Sequence, residues 1–498
     1  MKLKVKEFFL NTGWPYVCVL TEADSKRLGL HPLERVKIVN GKKETIAMLD
    51  VATDKRALKN GEIGLFQEVF DVIGAKKNKI VTVEPEPVPR SLHYIKKKMD
   101  GLTLNEGEIF EIIKDIAERR LSEHEMAYFV TGVYINKMNS KETYYLTKAM
   151  VNTGEKLKLN AKYVMDKHCI GGVPGNRTTM LIVPILAANG LAIPKTSSKA
   201  ITSPAGTADT MEVLADVNLD MKRIKEVVKK TKGCVTWGGG VNLAPSDDMI
   251  IRVERPVSID AKSQLLASVI AKKASVSATH LLIDIPFGHN AKIKTRKQAD
   301  LLAKDFVSIT KKFGIKTTVI ATPGGHPIGN GIGPALEAID VMKVLENHPE
   351  APRGVRAKAL YMAVIMLEMG DKAKKGEGMK LALKTLVSGK ALKKMNDIID
   401  AQGRKVKHWS NIKVGKYTEN VIARKDGKVK AIHNVDISRL CRAAGNPLDF
   451  GAGVYLHKHM HDKVKKGEVL FTVFAEAKSE MENVRTFLKY HPDIFVLG

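Results

Sequence analysis

The sequence predicts a multidomain protein of mixed α/β and α+β class. Three observations carry this reading. Short apolar segments parted by turn signals open the chain, long apolar runs bounded by Gly and Pro fill its middle, and short strands return at its end. A chain of 498 residues has room for several domains, at roughly 100–200 residues each. Apolar residues make up 44% and charged residues 27%, which excludes a mainly disordered or fibrous chain.

Residues 1–84 read as six strands, KVKEFFL, YVCVLT, RVKIV, TIAMLDV, EIGLF and KIVTVE, with turns at Asn40-Gly41 and Asn60-Gly61. They predict a small β-barrel. The proline-rich segment Glu84–Ser91 then predicts a stiff, extended linker. Beyond it the pattern is helical. Ile109, Ile112, Ile113 and Ile116 fall on one helix face, and Ser122 with Glu125 predicts a capping box. From Tyr163 to about Gly333, the runs TMLIVPIL, HLLIDIPF and KTTVIATP read as buried, mostly parallel strands between helices. Ala335 to Lys394 reads as helical. From about Val406 the segments YTENVIA, KVKAIHN and EVLFTVF return to strands. The expected domains are a β-rich domain at 1–84, a helical domain at 85–162 with a returning helical segment near 241–275, an α/β phosphate-binding domain at 163–405, and a small α+β domain at 406–498.

Charge narrows the partners. Lys and Arg number 81 against 54 Asp and Glu, a net charge of +27, which favours anionic ligands. Aromatics are only 6%, too few to interleave as a stacking platform for single strands, so nucleic acid is not the expected partner. The four cysteines form no CxxC pair, so neither a zinc site nor a disulfide framework is expected, and a reducing compartment fits. The opening MKLKVKEFFLNTG is too charged for a signal peptide. The longest apolar run, Met180–Pro194, is 15 residues and is broken by Pro184, Asn189 and Gly190, so no membrane span is expected. These readings point to a cytoplasmic protein.

Three loops carry candidate chemistry. DKHCIGGVPGNRTT (Asp166–Thr179) combines paired glycines, two cations and two threonines, which suits an anion held by backbone amides and a following helix. A purely structural glycine turn fits that segment equally on its own. KTSSKAITSPAGTADTMEVL (Lys195–Leu214) places hydroxyls and Lys199 ahead of a helix; a serine-rich surface loop is the alternative. CVTWGGG, with Asp260, Ser268 and Lys272 beyond it, sets Ser268 and Lys272 four apart on one helix face, where a solvated face is the plainer reading.

Taken in order, KHxxGGV, SxKxxTSPAGTxDxxE, LAPxD and SxxxKK resemble the thymidine/pyrimidine-nucleoside phosphorylase family from about Ile95 onward. The extra N-terminal β domain and the TSPAGTAD variant resemble that family's archaeal AMP phosphorylase branch. The resemblance implies a helical and an α/β domain with a cleft between them, inorganic phosphate as nucleophile, and no metal or organic cofactor. It implies phosphorolysis of AMP or other nucleoside monophosphates, giving free base and ribose 1,5-bisphosphate; pyrimidine-nucleoside phosphorolysis is the alternative. It also implies a homodimer or larger homo-oligomer.

Residue by residue, the resemblance assigns Lys167, Ser197 and Thr179 to phosphate. It assigns Gly172, Ser198, Lys199, Ala200, Ile201, Thr202, Ser203 and Thr207 to substrate. His168 would lie near the sugar 5′ position, Ser268 and Lys272 would contact the base, and Asp260 would protonate it as it leaves. Four departures stand out. Cys169 replaces a Ser, Arg252 and Arg255 compete for one base-contacting Arg, Ser203 replaces a His, and Lys292 stands where the pyrimidine enzymes carry an aromatic residue. A gained cation suits a substrate that carries its own 5′-phosphate.

Overall fold

The computed structural model describes residues 1–13, 15–54, 56–200, 203–257 and 261–498. Of the expected site residues, Ile201, Thr202 and Asp260 lie outside them, as does the side chain of Arg255. The chain divides into two units, Met1–Thr153 with Pro245–Ala267, and Gly154–Ala244 with Ser268–Gly498.

In the first unit, β1 (Lys2–Phe8), β2 (Val17–Thr21), β3 (Arg35–Asn40), β4 (Lys43–Ala52), β5 (Glu62–Phe66) and β6 (Ile80–Pro85) close into a barrel in the order β1-β5-β2-β4-β3-β6. All six segments read as strands are strands. Leu3, Val5, Val36, Ile38, Ile63 and Leu65 fill the interior, as the alternation of a barrel strand requires. The proline segment is less of a linker than expected: Pro85 still pairs with Val36, and a helix begins at Ser91. Helices Ser91–Met99, Glu106–Ala117, Glu123–Asn136, Ser140–Asn152 and Pro245–Glu254 complete the unit. Ile109, Ile112, Ile113 and Ile116 are fully buried. The Ser122 capping box forms, with Glu125 N donating to Ser122 Oγ at 3.3 Å and Ser122 N donating to Glu125 Oε2 at 2.8 Å. Glu125 also takes the guanidinium of Arg35 from the barrel.

The second unit is built on parallel strands β7 (Met165–Cys169), β8 (Ile193–Ser197), β9 (Gly233–Trp237), β10 (His280–Phe287) and β11 (Lys316–Pro323). Their order is β11-β10-β7 and β8-β9, the two groups joined by a parallel bridge from Val164 to Ala192. HLLIDIPF and KTTVIATP are strands as expected. TMLIVPIL is not: Thr178–Ala188 is a helix, buried all round. A segment apolar on every side carries no period, so its run alone cannot separate strand from helix. Helices Pro334–Leu345, Arg353–Met369, Gly378–Val387 and Lys390–Gln402 pack with it into one core. The end of the chain adds strands Tyr417–Ile422, Gly427–Ile432 and Val469–Ala475, as expected, under helices Asn434–Ala443 and Lys478–Tyr490. Among the described residues no helix is long and apolar enough to cross a membrane, and no cluster of ligating side chains suits a metal ion.

Candidate active site

Open parallel sheets bind ligands beyond the carboxyl ends of their strands. There β7 delivers DKHC into the glycine loop, β8 delivers the hydroxyl-rich loop, and β10 leads to Lys292. Side chains alternate along β7, so Lys167 and Cys169 share one face while Asp166 and His168 share the other. Cys169 stands in register with Asp284 of β10.

Lys167 is 1% exposed. Its Nζ lies 3.2 Å from Thr178 Oγ1 and 3.5 Å from Thr179 Oγ1, at the start of the helix Thr178–Ala188. Burial pushes its ammonium below the ordinary lysine range, against the pull of Cys169 and Asp284. The loop between strand and helix turns on Gly171, Gly172 and Gly175, at φ +94°, +85° and +70°. At Gly172 a Cβ would sit 2.8 Å from the backbone N of Lys292, so only glycine lets these two loops meet. Lys292 itself is exposed beside it.

Asp209 organises the hydroxyl-rich loop. Its Oδ2 accepts from Ala200 N at 2.6 Å and Gly206 N at 2.7 Å, and burial raises its pKa. Arg177 ties this loop to the glycine loop, pairing with Glu337, donating to the Ala205 carbonyl, and reaching Thr207 Oγ1 at 3.5 Å. Lys199 pairs with Glu212 at 2.8 Å and lies over the Trp237 ring. Ser203 Oγ donates to the Ala205 carbonyl at 2.9 Å, within its own loop. Ser197 is half-buried at the end of β8, and Ser198 is exposed. Lys167, Thr179 and Thr207 thus gather around the two loops that Arg177 joins.

Ser268 and Lys272 sit one turn apart on the helix Lys262–Ser275, both half-buried beside fully buried neighbours Ala267 and Ala271. Arg252 is engaged within the first unit, 3.1 Å from Glu123 Oε1 and donating to the Gly13 carbonyl at 2.8 Å.

Sequence reasoning missed several charged partners. Asp284 accepts from Thr322 Oγ1 at 2.6 Å and from the Cys169 thiol at 3.3 Å, and lies 3.0 Å from Lys358 Nζ. Burial opposes its ionisation, but Lys358 and Lys167 outweigh that and hold its pKa below the usual range. Cys169, in the place of a Ser, therefore ties β7 to β10, and burial raises its thiol pKa. On the opposite face Asp166 lies between Lys195, at 3.3 Å, and Lys273, at 2.8 Å. The one readable sign was the lone Asp284 inside the apolar strand HLLIDIPF, since such a group is buried only with partners.

Residues 92–154 match the helical bundle domain of a glycosyl transferase family, and residues 161–392 match its a/b domain. Residues 428–492 match the pyrimidine nucleoside phosphorylase C-terminal domain. An AMP phosphorylase of Methanococcoides burtonii is 43% identical over 500 residues, 100% of this chain and 98% of its own. A protein of Rhodopseudomonas palustris, named as a candidate thymidine phosphorylase, is 43% identical over 97% of this chain and 93% of its own. The crystal structure of anthranilate phosphoribosyltransferase from Thermus thermophilus superposes with a TM-score of 0.53 at 16% identity, over 62% of this chain and 98% of that one. At that identity it shares the fold.

Proposed function

Because the chain belongs to the nucleoside phosphorylase branch of this glycosyl transferase family and is a pentosyltransferase, we propose that it phosphorolyses nucleoside 5′-monophosphates. AMP and phosphate would give adenine and ribose 1,5-bisphosphate. The observation that carries the phosphate half is the buried Lys167 ammonium beside Thr178 and Thr179 at a helix start. The nucleotide half rests on Lys292, an exposed cation whose backbone abuts Gly172. The Methanococcoides relative's name supports it.

In this reading the C1′–N bond breaks with its electron pair leaving on the base, and a phosphate oxygen forms the new bond to C1′. Positive charge builds on the sugar, as in glycoside cleavage. Lys167, with the loop amides and hydroxyls, holds the phosphate in line, so these groups act by position and electrostatics. The base nitrogen takes a proton from Asp260, which recovers one from the attacking phosphate. Asp260→Asn should lower kcat by about 10²–10⁴-fold, the usual worth of a general acid.

The test is phosphate-dependent base release from AMP, CMP and UMP beside adenosine and thymidine, with wild type and Lys292→Ala. Nucleotides alone should react, and Lys292→Ala should narrow the gap to nucleosides. Thymidine reacting as well as any nucleotide would replace this reading with pyrimidine-nucleoside phosphorolysis, the second reading, which the Rhodopseudomonas relative's name favours.

A further inference from the structure

Behind β7, on the face that carries His168, lies a charge group that none of the motifs explains. Asp166 is fully buried, with Lys195 of β8 and Lys273 of the helix Lys262–Ser275 both at most 5% exposed against it. Lys195 Nζ also donates to the carbonyl of Lys167 at 2.9 Å, and the backbone N of Lys167 donates to Asp166 Oδ1 at 2.6 Å. One carboxylate therefore faces two lysine amines where water is excluded. Burying such a group is costly, and perturbed buried groups cluster at functional sites.

We propose that Lys195 is a positioning residue of the reaction: through Asp166 and the Lys167 carbonyl it fixes the strand that carries Lys167 and His168, and with Lys273 it surrounds His168 with positive charge. The inference rests on the nucleotide reading for its purpose. A product bearing two phosphates would be held too long by a charged imidazole, whereas a neutral one can still hydrogen-bond it.

The electrostatics agree with the geometry. Burial, then Lys273, Lys195, Lys167 and Lys272, hold the His168 pKa well below its ordinary value. Lys195 is itself pushed down to about 7, by burial first and against the pull of Asp166. Among the described residues, the ionisable groups around the cluster are Asp166, Lys167 and His168 on β7, Lys195 on β8, Cys234 on β9, and Lys272 and Lys273 on the helix, while Cys169, Asp284, Lys358 and Arg177 act on Lys167. Burial pushes the Cys234 thiol up to about 12, so it adds no charge.

Two measurements decide the matter. In the wild-type protein, imidazole C–H NMR, with His168→Gln for assignment, should show no titration of His168 near the ordinary value of about 6.5. In Lys195→Met the midpoint should rise by about half a unit or more. The acid limb of kcat/KM for the reacting nucleotide should follow it, while Lys195→Arg keeps the wild-type limb. A folded Lys195→Met with an unchanged His168 midpoint and acid limb overturns the proposal. So does a wild-type His168 titrating near 6.5, even if no Lys195 variant folds. If neither nucleotide nor nucleoside is phosphorolysed, the functional reading falls while the NMR titration still tests Lys195.

Discussion

At Gly206 one methyl group decides the shape of the substrate loop. A Cβ there would lie 2.4 Å from the Ser198 carbonyl oxygen and 2.8 Å from the Lys199 carbonyl carbon, and backbone cannot yield as a flexible side chain can. Gly206→Ala should therefore lower kcat/KM for the nucleotide by at least about tenfold, the rate equivalent of about 1.4 kcal/mol. The thermal midpoint should fall as well, because residues 204–210 are buried and the folded backbone must shift to admit the methyl group. A variant with wild-type kcat/KM would show that this loop does not shape the site. A second residue links pH to stability. Burial pushes the carboxyl of Asp340 up from 3.8 to about 7, although Asn330 N and Gly331 N both donate to it. An acid whose folded pKa is raised stabilises the fold fully below its unfolded value, and that stability is lost as pH rises through the folded value. Asp340→Asn cannot ionise, so its melting temperature relative to wild type should climb between pH 4 and pH 7; a flat difference would refute the assignment. Lys167 and Thr179 were legible because a short motif holds them together. Asp284 with Lys358, and Asp166 with Lys195 and Lys273, were not, because only the folded sheet brings each set into contact.

Elements were legible where a period or a cap marked them. The alternating barrel strands and the isoleucine face of Glu106–Ala117 announced themselves, because each is half buried and half wet. The helix Thr178–Ala188 did not, being buried all round. Its misreading matters, since it is the start of that helix, not the edge of a strand, that meets Lys167. The capping box at Glu123–Asn136 permits a graded test. Ser122→Ala removes one cap acceptor and should cost about 1 kcal/mol of stability. Glu125→Ala removes the reciprocal cap and also strands Arg35, whose side chain is 9% exposed and whose Nε already donates to the Arg120 carbonyl at 3.0 Å. It should cost clearly more, because an uncompensated buried charge is left behind. Denaturant unfolding of the two variants measures the order; equal costs would mean that Arg35 finds another partner.

For the molecule as a whole, the net charge of +27 should be felt by anionic substrates before they bind. Screening shortens from about 10 Å at 0.1 M salt to about 3 Å at 1 M, so KM for nucleotide and for phosphate should rise several-fold over that range with kcat nearly constant. A flat KM would mean that the surplus lies away from the approach to the site. The barrel poses the larger question. It carries none of the expected site residues, yet it is bound into its unit by Arg35 to Glu125, by Arg119 over the Tyr16 ring at 4.6 Å, and by Arg252 to the Gly13 carbonyl. We propose that the barrel joins copies of the chain. Deleting residues 1–84 should then leave phosphorolysis of the nucleotide in place while light scattering shows the particle mass falling by more than the mass of the deleted residues. A particle lighter only by those residues would leave the barrel without an assembly role. Lost activity with unchanged subunit number would instead make the barrel a support for the helices it packs on.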